Sequence, residues 1–360
     1  MRVTRNKGRI VAVQTVQGPV PAANLGLTLT HEHLYADFSS YVWQPPQPWK
    51  AELARQPAGA QIAWALREDP FFHPDNCRLD DVDATVAELE PFLAASGRTV
   101  IDVTNAGMGR DPGRLVEIAE RTGLNVVMGS TWYVGATHDE RVRAQTVGDL
   151  ADELLHEVLH GVGETGIRPG VLGELGISAD MTDSEERCLR AAARVQLRTG
   201  LPLIVHLPGW DRLGSRVLDI IEEEGAAPSS VVLGHMNPSG VDPDYQAQLA
   251  SRGAWLGYDM VGMGFYYADH GGQAPSPHDD AAAVARLITE GFGDRILLSH
   301  DVFVKAMWTR NGGNGFAYIP RLFLPRLVGR HGIAPDVASA LLTDNPARLF
   351  ESAWRAKGDN

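Results

Sequence analysis

The stretch LGLTLTHEH, residues 25–33, is a short apolar run that ends on two histidines separated by one residue. Side chains alternate across a β-strand, so His31 and His33 are expected on one face and Glu32 on the other. Two imidazoles at positions i and i+2 converge on one point. Taken alone, the pair fits buried core histidines as well as metal ligands.

Seven further apolar runs of the same kind follow along the chain. They are TVIDVT (99–104), NVVMGSTWYV (125–134), GVLGELGI (170–177), LPLIVHLP (201–208), SVVLGHMN (230–237), AWLGYDMV (254–261) and RILLSHDV (295–302). Each is rich in Val, Ile and Leu and bounded by Gly, Pro or polar residues, as the buried strands of a parallel sheet are.

Helix-like stretches separate these runs. The clearest are residues 80–96, 182–200, 279–293 and 335–350. In one of them, Thr182 is a candidate N-cap, Glu185 follows three residues later, and Gly200 marks the end. Eight strand–helix units in 360 residues predict an α/β fold, a (β/α)₈ TIM barrel, with a doubly wound open sheet as the alternative.

The chain is predicted to form one main domain. Residues 1–24 are expected to be an N-terminal extension packed on the barrel, and residues 25–360 a single barrel domain. Residues 38–79, rich in proline and aromatic residues, are expected to be an insertion after the first strand, a loop with some helix packed over one end of the barrel.

Composition excludes several classes of function. The net charge of -13 argues against nucleic acid or an anionic membrane surface as the main partner. We find neither a secretory signal pattern nor an apolar run of about 18 residues, and we expect no membrane association and a cytoplasmic location. Cys77 and Cys188 are far apart and are expected to be reduced thiols.

Four more polar residues lie near the ends of predicted strands. They are Glu174, His206, His235 and Asp301. The C-terminal ends of the strands form the face of a barrel on which active sites lie. Four imidazoles and two carboxylates on one rim would be costly in an apolar interior without a metal, and they suit borderline divalent ions. With the histidine pair, they predict a metal centre.

With these ligands the sequence resembles the phosphotriesterase-like family of the amidohydrolase superfamily. The matching segments are TVQGPVPAANLGLTLTHEHL (15–34), the two strand ends at His206 and His235, LLSHDV (297–302), GGNGFAYI (312–319) and LLTDNPARLF (341–350). The resemblance implies a distorted barrel with two metal ions. It assigns His31, His33 and Asp301 to the more buried ion, and His206 and His235 to the more exposed one.

Glu174 departs from the pattern of many family members. Many carry a carboxylated lysine at the end of the fourth strand to bridge the metals, but this chain has Glu174 there and no lysine nearby. A glutamate can bridge two cations directly, and in this respect the chain looks like the phosphotriesterase-related branch. A salt bridge from Glu174 to an arginine is the alternative.

The metal centre predicts a metal-dependent hydrolase. Two cations about 3.5–4 Å apart can bind one bridging water and lower its pKa, and the resulting hydroxide attacks a carbonyl or phosphoryl centre. Asp301 is expected to accept the proton and pass it to the leaving group. Zinc is the expected metal, with manganese, cobalt and iron as alternatives.

The sequence does not determine which type of bond is cleaved. A lactone, ester or N-acyl amide is favoured, and phosphotriesterase activity is the alternative. A catalytically silent, ligand-binding barrel is an alternative of another class, and Schiff-base chemistry at Lys305 is a third. The resemblance also suggests a homodimer.

Aromatic and cationic residues after the strands are candidates for binding a small-molecule substrate. They are Trp132, Tyr133, Tyr266, Trp308, Lys305 and Arg310, with Trp210, Phe265 and Tyr267 as further wall candidates. Tyr133 leads because the family often directs an aromatic residue from this position at the substrate oxygen. Lys305 and Arg310 are expected to hold a carboxylate, sulfonate or phosphate group, unless they are solvated or salt-bridged.

Overall fold

The computed structural model describes residues 11–43, 47–266 and 272–358. Tyr267 lies outside these ranges. The strands within them are β1 (Ala12–Thr15), β2 (Gly18–Pro21), β3 (Leu27–Glu32), β4 (Ala36–Asp37), β5 (Arg78–Leu79), β6 (Gly97–Asp102), β7 (Asn125–Ser130), β8 (Val171–Gly176), β9 (Leu203–His206), β10 (Val231–Leu233), β11 (Trp255–Tyr258) and β12 (Ile296–Leu298).

The α-helices of the same ranges alternate with the strands. They are α1 (Pro48–Leu53), α2 (Ala63–Glu68), α3 (Val82–Ala94), α4 (Pro112–Thr122), α5 (Glu140–Ala144), α6 (Val147–His160), α7 (Asp183–Thr199), α8 (Gly214–Glu223), α9 (Pro243–Ser251), α10 (Pro277–Thr289), α11 (Leu324–His331), α12 (Pro335–Ala340) and α13 (Asp344–Arg355). Among these described helices, none has both the length and the apolar composition needed to cross a bilayer.

Eight strands form one parallel sheet whose order, β3-β6-β7-β8-β9-β10-β11-β12, follows the chain. Sequential order with helices between successive strands is the winding of a (β/α)₈ barrel. A doubly wound sheet would instead reverse its strand order part-way across. The predicted barrel is therefore confirmed, and each of its eight strands lies within, or overlaps, one of the apolar runs.

Glu32 joins the first barrel strand to the segment that follows the last. Its Oε1 atom accepts hydrogen bonds from the backbone N–H and the Nδ1–H of His300, at 2.9 and 2.8 Å. Its Oε2 atom accepts from the backbone N–H of Val302 at 2.8 Å. Beside this carboxylate, the backbone N–H of Asp301 donates to the carbonyl of His31 at 3.2 Å. These hydrogen bonds hold the segment that carries Asp301 beside the strand that carries His31.

The described part of the N-terminal extension packs at the opposite end of the barrel. β1 and β2 form an antiparallel hairpin. The backbone N–H of Val16 donates to the carbonyl of Val126, near the start of β7, at 2.9 Å. Val13 belongs to the same apolar cluster as the barrel residues Ile101 and Ile204. The hairpin therefore covers the end of the barrel away from the predicted ligands.

Two helical predictions have different outcomes. The stretch 182–200 forms α7, whose N-terminus has a reciprocal capping box between Thr182 and Glu185 and whose C-terminus is Gly200 at φ 75°. The stretch 335–350 is two helices rather than one, α12 and α13. Pro346 favours the break, because proline lacks an N–H and its ring clashes with the carbonyl four residues earlier. In α13 it lies in the first turn, where neither effect disrupts the helix.

The insertion after the first strand has its own small core. β4 and β5 pair at its base, and α1 and α2 lie between them. Ile62, Leu66 and Phe72 form a separate apolar cluster. The buried Nζ atom of Lys50 lies 3.4 Å from a carboxylate oxygen of Asp69 and 5.6 Å from the centre of the Phe72 ring. This pairing satisfies a charge that would be costly to bury alone.

Candidate metal centre and active site

The six predicted ligands meet at the C-terminal ends of five barrel strands. They are His31 and His33 at the end of β3, Glu174 in β8, His206 at the end of β9, His235 just after β10 and Asp301 just after β12. His206 is the most exposed of them, with 20% of its side chain accessible, and the others are buried.

The carboxylate of Glu174 lies at the centre of this group. Its Oε2 atom is 2.9 Å from Nδ1 of His206 and 3.4 Å from Nε2 of both His31 and His235. Its Oε1 atom is 3.8 Å from Nε2 of His33. Four imidazoles thus surround one carboxylate, and within the described ranges its oxygens form no salt bridge with an arginine.

The backbone around Glu174 is held by the segments that directly follow β6 and β7. Its N–H donates to the carbonyl of Val103 at 2.8 Å. Its own carbonyl accepts from the side chains of Asn105 and Thr131, at 2.7 and 2.8 Å. A Cβ atom at Gly129 would collide with the backbone of the residue before Glu174, so glycine is needed for this close approach. The central carboxylate is therefore fixed by its surroundings.

Asp301 completes the cluster on the side of His33. Its Oδ1 atom lies 3.2 Å from Nε2 of His33 and 3.8 Å from Nε2 of His31. The ligand atoms of His31, His33 and Asp301 lie within 4.8 Å of one another, and so do those of His31, Glu174 and His235. Two groups of potential ligands therefore overlap at His31.

His235 and Asp301 share an unusual backbone conformation. Both have φ of 54°, in the left-handed region that residues with a side chain rarely adopt. Such a conformation costs on the order of 1–3 kcal/mol and persists where the surroundings enforce it. Both residues follow very short strands, and the turn directs their side chains into the cluster.

Asp259 is a buried carboxylate that is absent from the predicted set. Its Oδ1 atom is 2.9 Å from Nδ1 of His235 and accepts from the backbone N–H of the same residue at 2.8 Å. Its Oδ2 atom is 3.0 Å from Nδ1 of His31. An ionised carboxylate only accepts hydrogen bonds, so Asp259 orients both rings with Nε2 toward Glu174. Its signal in the sequence is its position at the end of the run 254–261.

Carboxylates control the protonation of the imidazoles. Burial disfavours charged histidine, but Asp259 and Glu174 outweigh it and raise the pKa of His31 well above its usual value. The same balance, dominated by Asp259, raises the pKa of His235 to about 10. Burial and the neighbouring His235 lower the pKa of His206. The two rings that face Asp259 are thus the ones whose charged form the surroundings favour.

The chemistry of the cluster fits divalent cations. Nε2 of His31 is buried and makes no hydrogen bond within the described ranges, although it faces the carboxylates of Glu174 and Asp301. An unsatisfied buried nitrogen is costly unless a cation occupies the space before it. Imidazole nitrogen and carboxylate oxygen are the ligands that zinc and similar ions take. The donor set therefore suits a binuclear centre.

A cavity of about 180 Å³ opens above the cluster. Its walls are largely apolar and come from two sources. The insertion contributes Phe38, Tyr41 and Phe71, and the loops after the barrel strands contribute Trp210, Met260 and Phe303. An apolar cleft that opens onto a few polar groups is the usual form of a small-molecule site.

Among the six predicted substrate-binding residues, all of which are described, Tyr133 is the one that lines this cavity. Its hydroxyl lies 3.3 Å from Nδ1 of His206. A Cβ atom at Gly176 would collide with the backbone of Tyr133 and Val134, so this glycine lets the two segments approach. Burial, with the nearby phenol of Tyr41, raises the pKa of Tyr133 well above its usual value, so its hydroxyl stays protonated.

Lys305 and Arg310 do not line the cavity in which they are predicted to hold an anionic group. The Nζ atom of Lys305 is 2.6 Å from a carboxylate oxygen of Asp75 and 3.3 Å from one of Asp80. The Nε atom of Arg310 is 3.8 Å from a carboxylate oxygen of Glu88. These carboxylates hold both cations away from the cluster, as the salt-bridged alternative expects.

The remaining three candidates also lie elsewhere. Trp308 is buried beneath the guanidinium of Arg310, which lies 4.4 Å from its ring centre. Trp132 lines a second, polar cavity that also contains Arg110. Tyr266 is 43% exposed and does not line the cavity. Each of these side chains is directed by packing that the local sequence does not reveal.

Known proteins resemble this chain over nearly its whole length. The profile described as the Phosphotriesterase family matches residues 11–350. N-acetyltaurine hydrolase of Rattus norvegicus is 35% identical over 337 residues, which are 93% of this chain and 96% of the rat protein. The enzyme of the same name from Danio rerio is 36% identical over 341 residues, 93% of this chain and 97% of that protein.

Solved structures extend the likeness. A resiniferatoxin-binding protein from Rhodobacter sphaeroides is 48% identical, with a TM-score of 0.93 over 97% of each chain. The phosphotriesterase homology protein from Escherichia coli, solved with phosphate in its active site, is 26% identical, with a TM-score of 0.75 over 91% of this chain and 99% of that one. The resemblance drawn from the motifs is thus confirmed. The chain is a metal-dependent hydrolase that belongs to the phosphotriesterase family.

Proposed function

We propose that this protein holds two divalent cations and hydrolyses an ester, lactone or N-acyl amide. The proposed ligands are His31, His33 and Asp301 for the more buried ion, His206 and His235 for the more exposed ion, and Glu174 as the bridge. One observation carries the proposal: the carboxylate of Glu174 has all four imidazoles within 2.9–3.8 Å. A carboxylate so surrounded is suited to hold two cations at once.

The residues around the cations have separate tasks in this proposal. When bound, the cations act as Lewis acids and lower the pKa of water. Asp301 borders both the cluster and the cavity, so its carboxylate can take the proton of the attacking water and pass it to the leaving group. Tyr133, which stays protonated, can donate a hydrogen bond to the substrate oxygen as negative charge develops there.

A carbonyl centre is the preferred target. The N-acetyltaurine hydrolases, whose name specifies an N-acyl substrate, align with 93% of this chain. A phosphoryl centre is the second candidate, because the Escherichia coli homologue contains phosphate in its active site. Both reactions need an attacking water and stabilisation of the negative charge that develops on a substrate oxygen. The shape and lining of the cavity must therefore decide which of the two centres is attacked.

We also propose zinc as the native metal, with manganese, cobalt or iron as alternatives, since mixed imidazole and carboxylate ligands suit zinc. A cytoplasmic location is supported by Cys77 and Cys188, which are both buried free thiols. A homodimer is proposed from the family resemblance alone.

Metal removal tests the proposed function. Prolonged dialysis against a chelator is expected to abolish hydrolysis of a simple ester, and zinc or manganese is expected to restore it. Restoration should be complete at two ions per chain, measured by elemental analysis and turnover on the same samples. Undiminished turnover in protein shown to be free of metal would contradict the proposal.

Asp259 provides a separate test of the metal centre. Asp259→Asn is expected to weaken metal binding by about 10–100-fold, because an amide cannot orient the rings of His31 and His235 as a carboxylate does. Competition with a chromogenic chelator measures the affinity. Asp280→Asn is the matched control, since Asp280 is an equally buried aspartate that contacts Asn237 instead of a ligand. Equal affinities in the two variants would argue against the role of Asp259.

A further inference from the structure

We propose that the substrate is an uncharged ester or amide that carries an aromatic ring, and that the insertion after the first strand selects it. This inference rests on the proposed function, because it names the chemical class that the same site cleaves. It also separates this protein from an enzyme that binds a small anionic substrate.

The aromatic wall is built to receive a ring. Phe71 and Phe303 stack with their centres 5.8 Å apart, and Phe38 meets Phe303 edge-on at 5.5 Å. Tyr41 meets Tyr133 edge-on at 5.9 Å. Offset-stacked and edge-to-face contacts at these distances are the favoured arrangements of aromatic pairs. A substrate ring in the cavity would extend the same pattern.

The loops after β9 and β11 contribute side chains that can adjust to such a ring. These side chains are Leu207, Met260 and Met263, with Trp210 beside them. Thioether side chains make favourable contacts with aromatic rings and adjust to their shape. An engineered apolar cavity of about 150 Å³ in another protein binds benzene. The cavity here has about 180 Å³, which includes the space in front of the proposed ligands, and its volume is of the same order.

The charges around the cavity disfavour an anionic substituent beside the wall. Lys305 is already paired with Asp75 and Asp80. Among the described residues, no lysine or arginine lines the cavity. A carboxylate or sulfonate placed against the wall would lose its hydration without gaining a cationic partner.

Hydrogen bonds fix the insertion in place, so that its aromatic residues can select between substrates. The carbonyl of Asn76 accepts from the backbone N–H of Lys305 at 2.9 Å, and its Oδ1 atom accepts from that of Ala306 at 2.7 Å. Oδ1 of Asp69 accepts from the backbone N–H of Phe71 at 3.0 Å. The wall is thus tied both to the loop after the last strand and to the core of the insertion.

A matched pair of esters tests the inference. Benzyl acetate and 4-(acetoxymethyl)benzoate differ only in one carboxylate on the ring. We expect kcat/KM of the metal-loaded enzyme to be higher for the neutral ester by at least about tenfold, the loss expected from an unpaired charge in an apolar wall. The amides N-benzylacetamide and 4-(acetamidomethyl)benzoate should give the same order. Equal rates, or a preference for the charged members, would overturn the inference.

A cation placed in the wall should change this preference. Phe71 is only partly buried, so Phe71→Arg can be accommodated, and it is expected to reduce or reverse the ratio of the two kcat/KM values. Trp64→Arg adds the same charge to the same insertion at a side chain that is 62% exposed, and it should leave the ratio unchanged. If both variants shift the ratio alike, the wall is not the selecting element.

Binding measurements separate this inference from the proposed function. The ketone 4-phenylbutan-2-one resembles benzyl acetate but cannot be hydrolysed, and 4-(3-oxobutyl)benzoate is its charged counterpart. Calorimetry on the metal-loaded protein should show tighter binding of the neutral ketone. Selective binding without turnover of any ester or amide would reject the proposed function and keep the selectivity of the cavity. Turnover of the esters or amides without selective binding would keep the proposed function and reject the inference about the substrate class.

Discussion

Glu174→Ala is expected to strip the protein of bound metal and to lower ester hydrolysis by several orders of magnitude. The central carboxylate contacts all four imidazoles, so its removal takes one ligand from both proposed ion sites. It also removes one of the two carboxylates that face the buried rings of His31 and His235, so that Asp259 alone remains beside them. Elemental analysis and turnover measured on the same preparation give the result.

Glu174→Gln is the matched variant for this experiment. The amide has nearly the shape of the carboxylate but no negative charge, so the variant separates loss of volume from loss of charge. We expect it to fold, as judged by circular dichroism, and to lose metal as the alanine variant does. Two tightly bound ions in Glu174→Gln would show that Glu174 is not the bridge.

Asp301→Asn is expected to lower kcat by about 100- to 10,000-fold while much of the metal remains bound. Asparagine keeps one carbonyl oxygen that can act as a ligand, but it cannot accept and return a proton. Steady-state kinetics at saturating metal, with metal content determined on the same sample, measure the effect. Asp259→Asn should show the opposite pattern, with weakened binding and a kcat that recovers at high metal concentration. An Asp301→Asn enzyme with full turnover would remove Asp301 from proton transfer.

The barrel and the meeting of its six polar residues could be predicted because both follow local rules. Short apolar runs separated by helical stretches define the strands, and alternation within a strand places His31 beside His33. Glu174 and His206 lie at the ends of such runs, where the barrel topology brings them to one face. The exact ends of the strands could be predicted less well. The run 125–134, for example, contains a strand that ends at Ser130.

Tyr133 and Trp210 were candidates and do line the cavity, but the rest of its wall could not be predicted in the same way. The partners of Lys305 are Asp75 and Asp80, more than 200 positions earlier in the chain, and no local pattern links them. Tyr41 and Phe71 belong to an insertion without helical or strand periodicity. Their orientation depends on the pairing of β4 with β5 and on the buried contact of Lys50 with Asp69. Such long-range contacts exist only in the folded protein.

The contact of Glu32 with the backbone of residues 300–302 also constrains how the enzyme is made. A ribosome that has synthesised only the first 280 residues has already produced His31, His33, Glu174, His206 and His235, but neither Asp301 nor the partners of Glu32. The nascent chain therefore cannot complete the contacts of Glu32 or the proposed ligand set until synthesis has passed Asp301 and Val302. A chain shortened before that point would lack the backbone donors that satisfy the buried carboxylate of Glu32.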